Sequence, residues 1–267
     1  MTIRSGSRLE RILHDETFCV TAEAVPPRSA DPGPVLEQAR GLVGYADAVN
    51  VTDNPTGAVH MSSQAGVALV AQTGLEPVMQ LTCRDRNRIG LISDLLGGWA
   101  LGARCALCLT GDPTSLGDQP EAKPVFDLDV MELIALVSRM RAGEEPVDPP
   151  PRYFIGVADQ PLEMGYDAGR LERKADAGAD FVQTQIVYDV DAFGEWAEGA
   201  RERGLLERLF VLAGVAPPRG PKSVRYMREH LPGVVVPDSV VDELEAAGSP
   251  SRSWTDSAPS TASPAST

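Results

Sequence analysis

Residues 18–28 read Phe18-Cys19-Val20-Thr21-Ala22-Glu23-Ala24-Val25-Pro26-Pro27-Arg28. The run from Phe18 to Val25 is apolar, small or β-branched and reads as a strand. The two prolines end it, because each pushes the residue before it into extended backbone. Glu23 stands near the C-terminal end of that strand. A carboxylate there is costly to desolvate and is kept mainly where chemistry uses it. Arg28 adds a permanent cation just beyond. By itself the segment is better explained as an ordinary strand end with a surface turn. What decides the fold is that the arrangement recurs.

Further short apolar runs occur at Ala48–Thr52, Pro77–Thr82, Arg104–Thr110, Tyr153–Ala158, Phe181–Gln185 and Leu209–Val215. Amphipathic helical segments alternate with them at Val35–Val43, Met61–Gln72, Asn87–Leu101, Leu128–Arg141, Ala168–Ala177, Ala192–Arg203 and Ser223–Glu229. Repeated strand–helix units imply a parallel sheet with helices outside it. No GxGxxG follows any strand and no GxxxxGK[ST] occurs, which disfavours a nucleotide-binding doubly wound sheet. The expected fold is α/β, a TIM (βα)8-type barrel, a form that commonly takes about 250 residues.

With period-2 alternation Thr21 and Glu23 share a face, as do Asn50 and Thr52, Gln80 and Thr82, Thr110 and Asp112, Gln183 and Gln185. Wetter strand ends explain one or two such pairs and explain five poorly. At the C-terminal rim of a barrel they point to a site. After Thr110-Gly111-Asp112-Pro113 a long connection runs to about Phe126, and long βα loops are often functional. Arg84, Arg86 and Arg88 crowd the start of the next helix after the third strand. They are read either as an anion seat or as a solvated helix start.

The formal net charge of −14 disfavours nucleic acid and anionic membranes as partners. No apolar stretch is long enough to span a bilayer, and the N-terminus lacks a signal peptide's apolar core. Cys19, Cys83, Cys105 and Cys108 all fall in apolar runs, as expected of reduced thiols in a cytoplasmic protein. Cys105 and Cys108 would face opposite ways on a strand, the three histidines are scattered, and no metal site is expected.

Six motifs occur in register: Glu23-x-x-Pro-Pro-Arg, Asn50-Val51-Thr52, Gln80-Leu81-Thr82-Cys83, Leu109-Thr110-Gly111-Asp112, Arg173-Lys174-x-Asp176-Ala177-Gly178-Ala179 and Thr184-Gln185-x-x-Tyr188-Asp189. Together they resemble the 5,10-methylenetetrahydrofolate reductase family, and most of all its short-chain bacterial and acetogen-type branch. The resemblance covers Phe18 to about Glu245. It implies flavin-dependent reduction of 5,10-methylenetetrahydrofolate to 5-methyltetrahydrofolate in one-carbon and methionine metabolism. FAD is implied ahead of FMN, and the electron source is NAD(P)H or an electron-transfer partner protein; an oligomer fits the resemblance as well as a monomer.

The resemblance also implies roles. Glu23 matches the general acid and Asp112 the aspartate beside flavin and pterin. Gln185 matches a glutamine that bonds the pterin, and Gln183 joins it as a substrate-side candidate. Thr52, Gln80, Thr110, Gly111, Asp112, Phe126, Asp167, Arg173 and Lys174 fall where the family contacts its cofactor. Gln80 stands where many members carry histidine, Thr110 where some carry arginine, and Pro221 where an aromatic lines the substrate site.

After Glu245 the composition changes abruptly. Residues 249–267 are rich in Ser, Pro, Ala and Thr and read as a disordered tail behind an incomplete barrel spanning 1–248. Seven strands are expected, with the family's last strand and helix missing, as a truncated or out-of-frame reading would leave them. A non-catalytic flavin- or folate-binding remnant, or a subunit completed by a partner, is the alternative function. A folate-linked methyltransferase on the same scaffold has less support, since no corrinoid or metal-ligand pattern appears.

Overall fold

A computed structural model describes residues 3–231 and 233–246. Its seven strands are β1 (Thr21–Ala24), β2 (Ala48–Val51), β3 (Glu76–Thr82), β4 (Cys105–Leu109), β5 (Phe154–Asp159), β6 (Phe181–Ile186) and β7 (Phe210–Gly214). They form one sheet in sequential order from β1 to β7, and the registered pairs from β1 to β6 are all parallel. Every strand expected from the sequence is present, and the fold is TIM-barrel-like. Among the described residues no eighth strand follows; the disorder expected from Ser249 onward lies outside them.

Helices α1 (Arg8–His14), α2 (Gly33–Leu42), α3 (Ser63–Ala71), α4 (Arg88–Ala100), α5 (Val130–Ala142), α6 (Ala168–Asp176), α7 (Val190–Glu202), α8 (Pro221–His230) and α9 (Asp238–Ala246) complete the element order. Local chemistry sets their starts. Asn87 caps α4 through Gly90 N–H, and Asp129 with Glu132 makes a reciprocal capping box on α5. α1 and α9 are additions to the sequence reading. α1 is only seven residues long, starts on a Ser7 cap, and buries Leu9 completely. Glu76 at the start of β3 holds it, accepting from Ser7 Oγ at 2.5 Å and from Leu9 N–H at 3.2 Å.

The chain divides into two compact units. One comprises the chain up to Asp159, Asp167–Thr184 and Glu198–Leu212. Its inward-facing residues Ala48, Val78, Cys105, Leu107, Phe154 and Phe181 pack with Leu9 into an apolar cluster. Gly156 is required there, since a Cβ would come within 2.3 Å of the Phe181 ring, which stacks on Phe154 at 4.9 Å. The other unit holds Gln160–Tyr166, Gln185–Ala197 and the described residues from Ala213. Val224, Val234, Val236 and Val241 form its core, with Ile186, Tyr188 and Met227 against them. Val187 and Val235 make an isolated parallel bridge in this unit.

Candidate active site

Two residues beyond the apolar cluster, in the C-terminal direction of each strand, the inward face turns polar. Asn50 follows Ala48, Gln80 follows Val78 and Gln183 follows Phe181, as period-2 alternation requires. Glu23 and Asn50 are register partners on β1 and β2. Gln183 Nε2 donates to Asn50 Oδ1 at 2.9 Å, and Asn50 Nδ2 donates to the Ala22 carbonyl at 3.4 Å. Glu23 pairs with the Gln80 side chain. Four of the polar residues flagged in the sequence thus converge on one stretch of the sheet.

Glu23 is exposed on one side, contrary to the buried position expected for it, while protein atoms crowd its inner sides. The crowding sets the direction of its shift: desolvation raises its carboxyl above the usual range, and the Gln80 hydrogen bond opposes this. The open side limits the size of the effect.

The turn after β2 carries a network that the sequence did not reveal. Asp53 is buried and accepts from Thr82 N–H at 2.9 Å, from Thr82 Oγ1 at 3.0 Å, and from Arg86 through Nη1 at 2.7 Å and Nη2 at 2.9 Å. Arg84, 1% exposed, donates to both oxygens of Asp85 and to the carbonyls of Asp112 and Asn54. Arg88 pairs with Glu145. The three cations read as a possible anion seat at the start of α4 are therefore spent on protein partners. Thr52, by contrast, is 3% exposed, and among the described residues its Oγ1 has no hydrogen-bond partner.

The long connection after β4 is pinned at both ends. Asp112 Oδ2 accepts from Thr56 N–H at 2.8 Å, and Val125 N–H donates to the Arg84 carbonyl at 2.7 Å. Gly111 has φ +94°, and a Cβ there would stand 3.0 Å from the Cβ atoms of both Thr82 and Arg84. Only glycine suits that backbone and that gap. Thr110 is exposed, as is Phe126, whose φ of +40° is rare for an aromatic residue.

Asp167 caps α6 through Gly169 N–H and pairs with Arg173 at 3.1 Å, both side chains being exposed. Lys174 on the same helix turns inward and is 5% exposed. Its Nζ donates to the Ala158 carbonyl at 2.5 Å and lies 3.9 Å from Asp159 Oδ1. Burial lowers its pKa to about 8 despite that carboxylate. In the smaller unit Gln185 Oε1 accepts from the Ile186 amide at 2.9 Å.

Comparison with known proteins gives a consistent picture. A probable methylenetetrahydrofolate reductase (NADPH) of Caenorhabditis elegans is 26% identical over 253 residues, covering 89% of this chain and 36% of that protein. Methylenetetrahydrofolate reductase 1 of Schizosaccharomyces pombe is 29% identical over 187 residues, covering 67% of this chain and 29% of that protein. This chain therefore spans about a third of the length of these relatives. Among solved structures, an uncharacterized Clostridium thermocellum protein that binds two copies of 5-methyl-5,6,7,8-tetrahydrofolic acid superposes with a TM-score of 0.64 at 12% identity, over 91% of this chain and 80% of that one. That likeness shows the fold. The family model described as methylenetetrahydrofolate reductase matches residues 8–255, nearly the whole sequence, and the chain belongs to that family.

Proposed function

We infer that this chain carries out the flavin-dependent reduction of 5,10-methylenetetrahydrofolate to 5-methyltetrahydrofolate. The observation that carries the reading is Glu23: a carboxyl on the inward face of β1, open to a ligand on one side and held above its ordinary pKa by desolvation. A group of that kind keeps its proton closer to neutral pH than a surface glutamate does, which general-acid work requires.

The reaction adds a hydride to the bridging carbon and a proton to N10, and the bond between that carbon and N10 breaks. Glu23 supplies the proton. Gln80 suits both states of the acid, since its amide oxygen accepts from the carboxylic acid and its nitrogen donates to the carboxylate. Asp112, anchored by Thr56 N–H, supplies a fixed negative charge that favours a cationic ring-opened folate.

The residues fit a flavin, and FAD is the form proposed. Thr52 offers a buried hydroxyl with no partner among the described residues, a group that a ligand atom would satisfy. The backbone at Gly111 allows close approach, Thr110 beside it and Phe126 at the far end of the same connection are exposed, and Gln80, Asp167, Arg173 and Lys174 complete the proposed cofactor contacts. When bound, flavin supplies the two-electron hydride chemistry that the side chains lack.

The test separates the chemistry from the choice of electron donor. The flavin-loaded protein is reduced with dithionite under anaerobic conditions and mixed with 5,10-methylenetetrahydrofolate. The expected result is reoxidation of the flavin with formation of 5-methyltetrahydrofolate. A reduced flavin that persists through the mixing would overturn the reading.

A further inference from the structure

Amide groups can usually be turned end for end, but here one end is fixed by chemistry. The Ala22 carbonyl can only accept, so the Asn50 end 3.4 Å from it must be Nδ2. Asn50 Oδ1 is then the end that meets Gln183, and the Gln183 atom 2.9 Å from it must be the donor, Nε2. The polarity of both amides follows from one backbone carbonyl. Gln183 is left with Oε1 and the second Nε2 hydrogen, and among the described residues no hydrogen bond reaches Oε1. Asn50 is 6% exposed whereas Gln183 is only half-buried, so the relay runs from an enclosed end to an accessible one.

The position of this relay gives it a use. Asn50 is the register partner of Glu23, and Gln183 shares the inward face of its strand. The two amides come from strands 133 residues apart in sequence and lie one step beyond the apolar cluster that contains Ala48 and Phe181. A bare Gln could offer a ligand either a donor or an acceptor. A Gln whose nitrogen is held by Asn50 keeps Oε1 in one place, where only a donor can meet it.

We propose that Asn50 is a positioning residue that fixes the Gln183 amide as a hydrogen-bond acceptor, selecting ligands that present an N–H edge, as the lactam and amino groups of a reduced pterin do. The selectivity is against heterocycles that offer only acceptors at that edge, because an acceptor facing Oε1 would leave two oxygens opposed without a proton. This inference rests on the folate reading above, and it adds a residue, Asn50, whose effect passes through another side chain.

The experiment measures the dissociation constant of 5-methyltetrahydrofolate by calorimetry on the flavin-loaded protein, together with KM and kcat, for Asn50→Leu, Gln183→Leu, the double variant and Gln183→Glu. Asn50→Leu and Gln183→Leu should each weaken binding by roughly 2- to 10-fold, the factor that one net hydrogen bond represents. The loss should fall on KM and leave kcat near wild type. The double variant should be no worse than Gln183→Leu alone, because Asn50 acts only through Gln183. Gln183→Glu sets a carboxylate oxygen against Asn50 Oδ1 with no proton between them, and should bind no better than Gln183→Leu.

Additive losses, or a Gln183→Glu variant that binds as well as wild type, would overturn the relay. If Asn50→Leu does not fold, the Gln183 pair still decides the polarity. Wild-type protein that binds no reduced folate would remove the functional reading and the relay with it. Wild-type protein that binds, with Asn50→Leu unchanged, would remove only the role of Asn50.

Discussion

Asp53 and Arg86 meet side by side, with Nη1 to Oδ2 at 2.7 Å and Nη2 to Oδ1 at 2.9 Å, where the chain leaves β2 and β3. The carboxylate has no exposed surface, and Thr82 donates to its Oδ2 from backbone and side chain. This pair ties the C-terminal ends of two neighbouring strands, and with them Thr52 and Thr82, into one rigid corner. A buried pair of this sort adds little over an apolar replacement, but breaking it strands a charge. Asp53→Ala should therefore destabilise the fold by about 3–5 kcal/mol, the range for an orphaned buried partner. Urea unfolding measures it, and a loss below about 1 kcal/mol would mean that Arg86 finds solvent or Asp94 instead.

Glu23→Gln should leave flavin content unchanged and slow flavin reoxidation by methylenetetrahydrofolate by about 10²- to 10⁴-fold, the usual worth of a general acid. The wild-type rate should fall as pH rises through the Glu23 pKa, because the acid form is the active one. Since that pKa is raised, the fall begins at higher pH than for an ordinary glutamate. Stopped-flow traces across the pH range check both points. A Glu23→Gln enzyme with near-wild-type rates would move the proton donor elsewhere.

The strands were legible because each is a short β-branched or apolar run bounded by turn residues, and all seven fell where the pattern placed them. The polar inward positions followed from the same alternation. Helix α1 was not legible: seven residues are too few for periodicity, and it is held by Ser7, Leu9 and Glu76, which meet only in the folded chain. The arginines of the turn after β3 misled for a related reason. Arg84, Arg86 and Arg88 look like a cationic cluster when read locally, yet Asp53 and Asp94 take Arg86, Glu145 takes Arg88, and Arg84 is held by neighbouring Asp85 and the carbonyls of Asn54 and Asp112. The Asn50–Gln183 bond has no sequence signal at all. Its partners are 133 residues apart, and only the folded sheet brings them together.

Asp112→Asn tests the proposed place of the flavin. A carboxylate near the ring disfavours anionic reduced flavin, so the neutral amide should raise the midpoint potential. Asn retains an oxygen for Thr56 N–H, so the loop anchor at 2.8 Å should survive and stability should change little. Redox titration alongside a thermal melt separates the two roles. A lower stability with an unchanged potential would make Asp112 a loop anchor alone.

Lys174 gives the fold a pH dependence whose sign is fixed by its burial. Desolvation brings its pKa down to about 8, with the Asp159 carboxylate opposing the shift, whereas an unfolded lysine titrates near 10.4. Between these values the unfolded chain holds a proton that the folded chain has released. Stability then rises with pH across that window, because unfolding takes up the proton. Below about pH 8 the folded and the unfolded chain both hold the proton, so the dependence levels off with the full cost of burying the ammonium present. Lys174→Met removes the titration. The melting temperature of wild type relative to Lys174→Met should therefore climb from about pH 8 to pH 10 and stay level between pH 6 and 7. Melts of both proteins at matched ionic strength test this. Parallel curves over the whole range would mean that the Lys174 side chain swings out to water before it titrates.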